Sequence, residues 1–233
     1  MVTVLAIETS TDACSVALAH DNIVQENFLV CPRQHHNIIL PMINDLMEGL
    51  QLNFKDLDCI AYGQGPGSFT GLRLGAGVVQ GLAFAAQKNV IGISSLAAIA
   101  WSASLEMAIK DGQRIRVVRD ARMGEFYVGT YVVRGEAVVA EVEDMLVSHA
   151  QLAEAVEKDM GVLWAGDSWQ TEAMTLQSPL ESRYRYPHAR AILALALPSC
   201  HSGLGKPAHQ ALPKYVRESV AWRKWQPKRR QDF

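Results

Sequence analysis

The chain has 233 residues, of which 49% are hydrophobic, and a formal net charge of -2 at neutral pH. So apolar and nearly neutral a composition excludes a disordered chain, and no overall charge demands nucleic acid or an acidic partner; a surface for either would be a local patch. The length allows one large domain or two small ones around a substantial core. Cys14, Cys31, Cys59 and Cys200 are scattered and form no CxxC, so four reduced thiols in a cytoplasmic protein are expected, with neither a disulfide framework nor a zinc motif. The first residues lack the basic segment and long apolar core of a secretory signal, and polar residues interrupt every apolar run before membrane-spanning length.

In chain order, the apolar run 2–7 reads as a buried central strand, and 15–19 and 23–30 follow as two more in a meander of hairpins. A helix is expected over about residues 34–50, with apolar positions at Ile39, Ile43, Leu46, Met47 and Leu50; Pro41 inside it predicts a late start or a kink. A fourth strand, 58–62, leads into Gly65-Pro66-Gly67-Ser68-Phe69-Thr70-Gly71-Leu72-Arg73-Leu74-Gly75 and an apolar helix to residue 86. A fifth strand, 90–93, precedes a helix capped by Ser94 or Ser95. A second and shorter set begins near Gly112. It has strands over 115–119, 125–133 and 137–141, a helix capped by Ser148, a strand over 161–166 and a helix over 189–197. The last segment, 212–225, should pack on one of the two units, and the basic tail 224–230 reads as a solvated terminus.

The glycine stretch carries the most information. A strand, a glycine turn and a helix start bring free backbone N–H groups together, which suits an anion. The spacing nevertheless matches neither the phosphate loop ending in Lys-Ser/Thr nor GxGxxG. Gly67, Gly71 and Gly75 recur every fourth residue, and Gly77 and Gly81 repeat that spacing on a neighbouring strip. Each interior glycine costs about 1 kcal/mol relative to alanine. The strips therefore imply close packing, either on the molecule's own sheet or on a helix of another chain, and one of them is read as a partner interface.

The run Leu5-Ala6-Ile7-Glu8-Thr9-Ser10, the following Ala13-Cys14-Ser15-Val16-Ala17-Leu18 and the glycine stretch resemble the TsaB (YeaZ) family. The likeness extends to Asp120-Ala121-Arg122-Met123-Gly124-Glu125 and to Leu212-Pro213-Lys214-Tyr215-Val216-Arg217. It implies an α/β fold of two ribonuclease-H-like units of the actin/Hsp70-like ATPase superfamily, the second one reduced. The first subdomain would span 1–105 with the glycine helix, and the second 106–233, its last segment packing back on the first. The resemblance also implies a non-catalytic partner of TsaD in threonylcarbamoyladenosine modification of tRNA, at the adenosine next to the anticodon. TsaE and TsaC would be functional partners, tRNA would be reached through the complex, and the chain alone would form a homodimer. ATP and metal are then expected on the partner subunits and none on the isolated chain. The two helices 34–50 and 70–86 would form the shared interface. The first would contribute His36, Leu40, Ile43 and Met47. On the second, Gly71, Gly75 and Gly81 would permit close approach, Leu74 and Val78 supply apolar area, and Arg73 lie at the rim.

The alternative is an enzyme in its own right, a stand-alone ATPase or metallopeptidase. In the superfamily, an acidic residue on each side of the cleft between the units orients magnesium and water. Glu8, where members of the TsaB family often carry Asp, and Asp120 stand at the corresponding strand ends, although turn capping accounts for both at least as well. Arg122 and Met123 obstruct the place where the superfamily brings a glycine turn to phosphate. Ser94-Ser95-Leu96-Ala97-Ala98-Ile99 stands where TsaD carries a His-x-x-x-His metal pair. His35 and His36 are adjacent and point about 100° apart on a helix, so they do not easily share one ion. Ser68 is not in a GxSxG elbow. The sequence reads as a scaffold.

Overall fold

The computed structural model describes residues 2–158, 161–167 and 185–217. β1 (Val4–Glu8) is buried at every position, as a strand covered on both faces must be. It pairs antiparallel with β2 (Ala13–His20), which pairs antiparallel with β3 (Ile23–Val30). On its other side β1 pairs parallel with β4 (Cys59–Gly65), and β4 with β5 (Asn89–Ser94). The resulting order, β3-β2-β1-β4-β5, is the ribonuclease-H-like arrangement that the succession of elements predicts. α1 (His35–Gly49) and α2 (Phe69–Ala86) cover one face, packing Ile39, Ile43, Val79 and Ala83 against Leu5, Ile7, Val16 and Ile60.

α1 runs through Pro41 as one element from His35, so of the two alternatives the late start does not occur; Ile39, Met42, Ile43, Leu46 and Met47 seat it on the sheet and offset the hydrogen bond that proline removes. The expectation that no apolar run reaches membrane-spanning length is corrected by α2. α2 is long and apolar enough, by length and composition, to cross a membrane, since Arg73 is its only charge. Its Leu72, Ala76, Val79 and Ala83 are instead buried on the sheet.

The second sheet, in the order β8-β7-β6-β9, comprises β6 (Arg114–Arg122), β7 (Glu125–Arg134), β8 (Ala137–Ser148) and β9 (Leu163–Gly166). It repeats the first four positions of the first sheet, including the parallel pairing of its leading strand β6 with β9, which follows α4 (His149–Lys158). Among the described residues it has no fifth strand and is thus the reduced copy.

The covering helices cross the division between the sheets. α3 (Ser95–Glu106), capped by Ser94, packs Leu96, Ile99 and Ala103 on Ile115, Val117 and Tyr131 of the second sheet. α5 (Ala189–His201) packs Ala189, Ile192 and Ala196 on Ala6, Ala17 and Ala61 of the first. A boundary near residue 105 therefore separates the strands but not the helices. Small residues on both sides let α5 lie close, which brings Cys200 to Cys59. These two are joined by a disulfide across 141 residues, correcting the expectation of four reduced thiols; Cys14 and Cys31 are free and buried. A separation of that size leaves no spacing signal in the sequence.

The start of α5 is held by β2 and β3. Ser15 Oγ accepts the Ala189 N–H at 2.9 Å, and Glu26 accepts that of Arg190 at 3.1 Å. His188 Nδ1 lies 3.2 Å from the same carboxylate, and its ring stacks on Phe28 at 4.3 Å. Burial pushes the Glu26 carboxyl up, but the hydrogen bonds from His188, Ser15 and Arg190 outweigh it and hold the group below its ordinary value. A carboxyl lowered on folding contributes stability above its unfolded titration range and loses it as pH falls through the folded value. Glu26→Ala is expected to cost about 1–3 kcal/mol at neutral pH. The gap from the parent should narrow once the pH drops below the ordinary carboxylate range, and urea unfolding at neutral and at acid pH reads both effects.

Candidate partner-binding face and interunit cleft

The two glycine strips of α2 face opposite ways. A Cβ at Gly67 would overlap the carbonyl oxygen of Ser10, one at Gly71 that of Thr9, and one at Gly75 the Thr9 hydroxyl. Thr9 Oγ1 donates to the Gly71 carbonyl at 2.9 Å, and the Ser68 N–H donates to the Ser10 carbonyl at 2.7 Å. The turn after β1 thus lies directly on the first turns of α2. Gly77 and Gly81, by contrast, have no atom within 4 Å of a Cβ built on them.

This arrangement corrects several residues expected at a partner interface. Gly71 and Gly75 are buried against their own chain, because their strip accommodates the β1 turn. Ile43 and Met47 belong to the core, at 0% and 3% exposure, since the apolar stripe of α1 faces its own sheet. The outer face carries His36 and Leu40 from α1, and Arg73, Gly77, Gly81 and Phe84 from α2, with Leu74 and Val78 half-buried. Leu40 is 48% exposed, Phe69 50% and Phe84 80%. Phe69, Arg73, Gly77 and Gly81 follow one another at four-residue spacing, so the middle of this stripe is bare backbone.

At one end of the stripe the Arg73 guanidinium is held between two rings. It lies 3.6 Å from the centre of Phe69 and 5.9 Å from that of Tyr215, and its Nε donates to Tyr215 Oη at 3.0 Å. Sequence reasoning placed Arg73 at the rim but missed both rings: Phe69, one helical turn before it, was legible from the spacing, whereas Tyr215 arrives from 142 residues away.

The cleft between the sheets is occupied by the chain itself. Glu8 is 1% exposed; Ser95 Oγ donates to it at 2.7 Å and the Ser10 N–H donates to its other oxygen. A Cβ at Gly63 would overlap this carboxylate. Burial pushes the Glu8 carboxyl above its ordinary value, against the lowering effect of the hydrogen bonds from Ser10 and Ser95. Asp120 is exposed and accepts the Arg122 N–H at 2.7 Å. It opens a turn in which Arg122, Met123 and Gly124 have φ of 66°, 62° and 78°. Glu8 is buried while Asp120 lies at the surface, and each accepts a backbone N–H of the turn at its own strand end.

Across this cleft runs the segment 212–217. The Lys214 N–H donates to the Gln64 carbonyl at 2.7 Å, and Tyr62 Oη donates to the Leu212 carbonyl at 3.2 Å. Arg217 Nη2 donates to Glu125 at 2.6 Å and to the Ala121 and Arg122 carbonyls at 3.1 and 3.3 Å. The segment therefore packs on both units, not on one. The basic tail 224–230 lies outside the described residues. His35 is buried with Nε2 3.1 Å from the Ala13 carbonyl, while His36 is exposed. Among the described residues, no three His, Cys, Asp or Glu side chains converge as a metal site.

Comparison with known proteins adds four findings. A family model described as TsaD, tRNA N6-adenosine threonylcarbamoyltransferase, matches residues 29–225. The chain is 34% identical to the tRNA threonylcarbamoyladenosine biosynthesis protein TsaB of Escherichia coli (strain K12), over 95% of this chain and 97% of that relative. It is 28% identical to the protein of the same name from Bacillus subtilis (strain 168), over 96% and 97%. A solved structure of YeaZ from Pseudomonas aeruginosa is similar to it with a TM-score of 0.80 and 36% identity, covering 92% of this chain and 100% of that one.

The two strips should respond oppositely to a single methyl group. Gly71→Ala is expected to destabilise by about 1–3 kcal/mol through overlap with the Thr9 carbonyl. Gly77→Ala and Gly81→Ala should each leave stability unchanged or raise it by up to about 1 kcal/mol. Thermal unfolding of the three variants checks the assignment.

Proposed function

We propose, from the premise that the chain belongs to the TsaB (YeaZ) family of tRNA threonylcarbamoyladenosine biosynthesis proteins, that it is a non-catalytic subunit which binds a TsaD-type threonylcarbamoyltransferase through the outer face of α1 and α2. The observation that carries this reading is the open strip of Gly77 and Gly81 between exposed Phe69 and Phe84. A helix with no side chains along its middle lets a second helix approach to backbone contact, and the flanking rings supply apolar area to bury. Because the TsaD family model fits this chain over residues 29–225, a TsaD-type partner is expected to present helices of the same kind. In its absence the same face would take a second copy of this chain. ATP and metal would then reside on partner subunits, TsaE and TsaC would act alongside, tRNA would be met through the assembly, and the working compartment would be the cytoplasm.

The non-catalytic part of the proposal rests on the cleft. Glu8 is sealed by Ser95, Ser10 and Gly63, and the segment 212–217 bridges the two units across the same cleft. The reading of an independent ATPase or peptidase needs Glu8 and Asp120 to share a ligand. Gly77→Arg combined with Gly81→Arg, which meet open space, should abolish association with a TsaD-type partner in sedimentation velocity while leaving thermal unfolding unchanged. Undiminished binding would overturn the interface. Saturable ATP binding by the isolated chain, lost in Glu8→Gln, would favour the enzyme instead.

A further inference from the structure

α5 covers the face of the first sheet opposite to α1 and α2, and its two ends are fastened by different chemistry. Its start is held by hydrogen bonds to Ser15 and Glu26. Its last turn is held by the covalent bond from Cys200 to Cys59, the first residue of β4. Beyond Cys200 the chain turns back, with the Gly203 N–H donating to the Cys200 carbonyl at 3.1 Å and the Leu204 N–H to that of Ser199 at 2.9 Å. It is tied again where Lys206 and Val90 exchange backbone hydrogen bonds of 2.7 and 2.8 Å.

The four cysteines are not alike. Cys14 and Cys31 lie in the core under α1, and burial pushes both thiols up, that of Cys14 to about 12. Thiols so placed carry almost no thiolate and do not exchange. Of the other pair, Cys59 is 3% exposed while Cys200 is half-buried, so a small thiol meets Cys200 first. Their Cα atoms are 6.4 Å apart, within the range that a disulfide spans. Two free thiols fit the same backbone once the Cys200 side chain turns outward. The compartment proposed above keeps thiols reduced, and disulfides found there are mostly transient and redox-sensing.

We propose that Cys59 and Cys200 form a reversible oxidative-modification site, opened and closed by small thiols and disulfides of the glutathione class, which locks the end of α5 onto β4 when oxidised. The site lies on the face opposite α1 and α2, so it stands apart from the association proposed above and draws on that reading only for the compartment. To open it, an external thiolate attacks Cys200 Sγ, a mixed disulfide forms, and Cys59 leaves as a thiolate that takes up a proton. A second external thiolate attacks the outer sulfur of that mixed disulfide and releases Cys200 as a thiol. One disulfide of the chain is thereby reduced to two thiols while two external thiols are oxidised to one disulfide, and closing is the reverse. Because the bond spans 141 residues, opening it frees the unfolded chain considerably and lowers stability. Locally it frays the last turn of α5, while Ser15 and Glu26 keep the start in place.

Equilibrating the full chain in glutathione buffers, from fully reduced to fully oxidised, tests this. The state of each cysteine is read by differential alkylation and mass spectrometry. Cys59 and Cys200 should pass together from thiols to disulfide within that range, while Cys14 and Cys31 stay thiols throughout. The reduced chain should melt about 5–15 °C below the oxidised one. Hydrogen exchange should quicken over residues 197–205 on reduction and stay unchanged over 189–193. Cys59→Ala with Cys200→Ala should match the reduced parent in both measurements and no longer respond to the buffer. The reduced parent supplies these readouts without any substitution, so they do not hinge on how the variant folds. A pair that stays as thiols in oxidised glutathione would overturn the proposal, and so would one that stays joined in reduced glutathione, which marks a fixed cross-link. Equal melting and exchange in the two states, or a variant that still responds to the buffer, would overturn it as well.

Discussion

The carbonyls of Ser10 and Thr9 occupy the space that side chains at positions 67 and 71 would fill, and the Thr9 hydroxyl that of a side chain at 75. That contact sets the rest of the molecule. Two backbone segments can lie this close only where one of them lacks Cβ atoms, and the hydrogen bonds from Ser68 to Ser10 and from Thr9 to Gly71 then tie them together. Once the inner strip of α2 is committed to the β1 turn, its rotation about the helix axis is fixed. Gly77 and Gly81 can point only to solvent, with Phe69 and Phe84 beside them. The outer face therefore follows from an internal packing constraint.

The same turn aims Glu8 inward. Its carboxylate sits under Gly63 and takes hydrogen bonds from Ser10 and from Ser95, the first residue of α3. Because α3 packs on the second sheet, Glu8 links the first unit to the second. The exchange of covering helices works in the same sense: α3 leaves the first strand set to cover the second sheet, and α5 returns from the second set to cover the first. The segment 212–217 adds a third brace, from Gln64 on one side to Arg122 and Glu125 on the other. The two duplicated halves are thus tied to each other across their cleft by hydrogen bonds of the chain's own groups.

Fastening and display are complementary. α1 and α2 share one core with the first sheet, so their outer face presents one geometry to whatever docks on it. Pre-organisation of this kind reduces what binding must order, and the ring-held Arg73 shows it at the level of a single side chain. The outer face of α1 and α2 carries few charges and a strip of bare backbone, while the polar networks lie in the cleft.

Much of the architecture was legible in the chain itself. Alternation and apolar runs located the strands and their order of appearance, the pair Ser94-Ser95 announced the start of α3, and the four-residue glycine spacing marked α2 as a helix that something must approach closely. What the spacing could not state is which strip faces which way, because both repeat every fourth residue and the choice belongs to the Thr9–Ser10 turn, some 60 residues earlier, whose position is tertiary. For the same reason Ile43 and Met47 read equally well as interface or core. The pairing of Cys59 with Cys200, the clamp of Tyr215 on Arg73 and the seating of α5 on the first sheet join residues more than a hundred positions apart. Local periodicity carries no information about such distances. The sequence by itself determined which elements form and that one helix needs a close neighbour; only the packed structure decided which neighbour each face received.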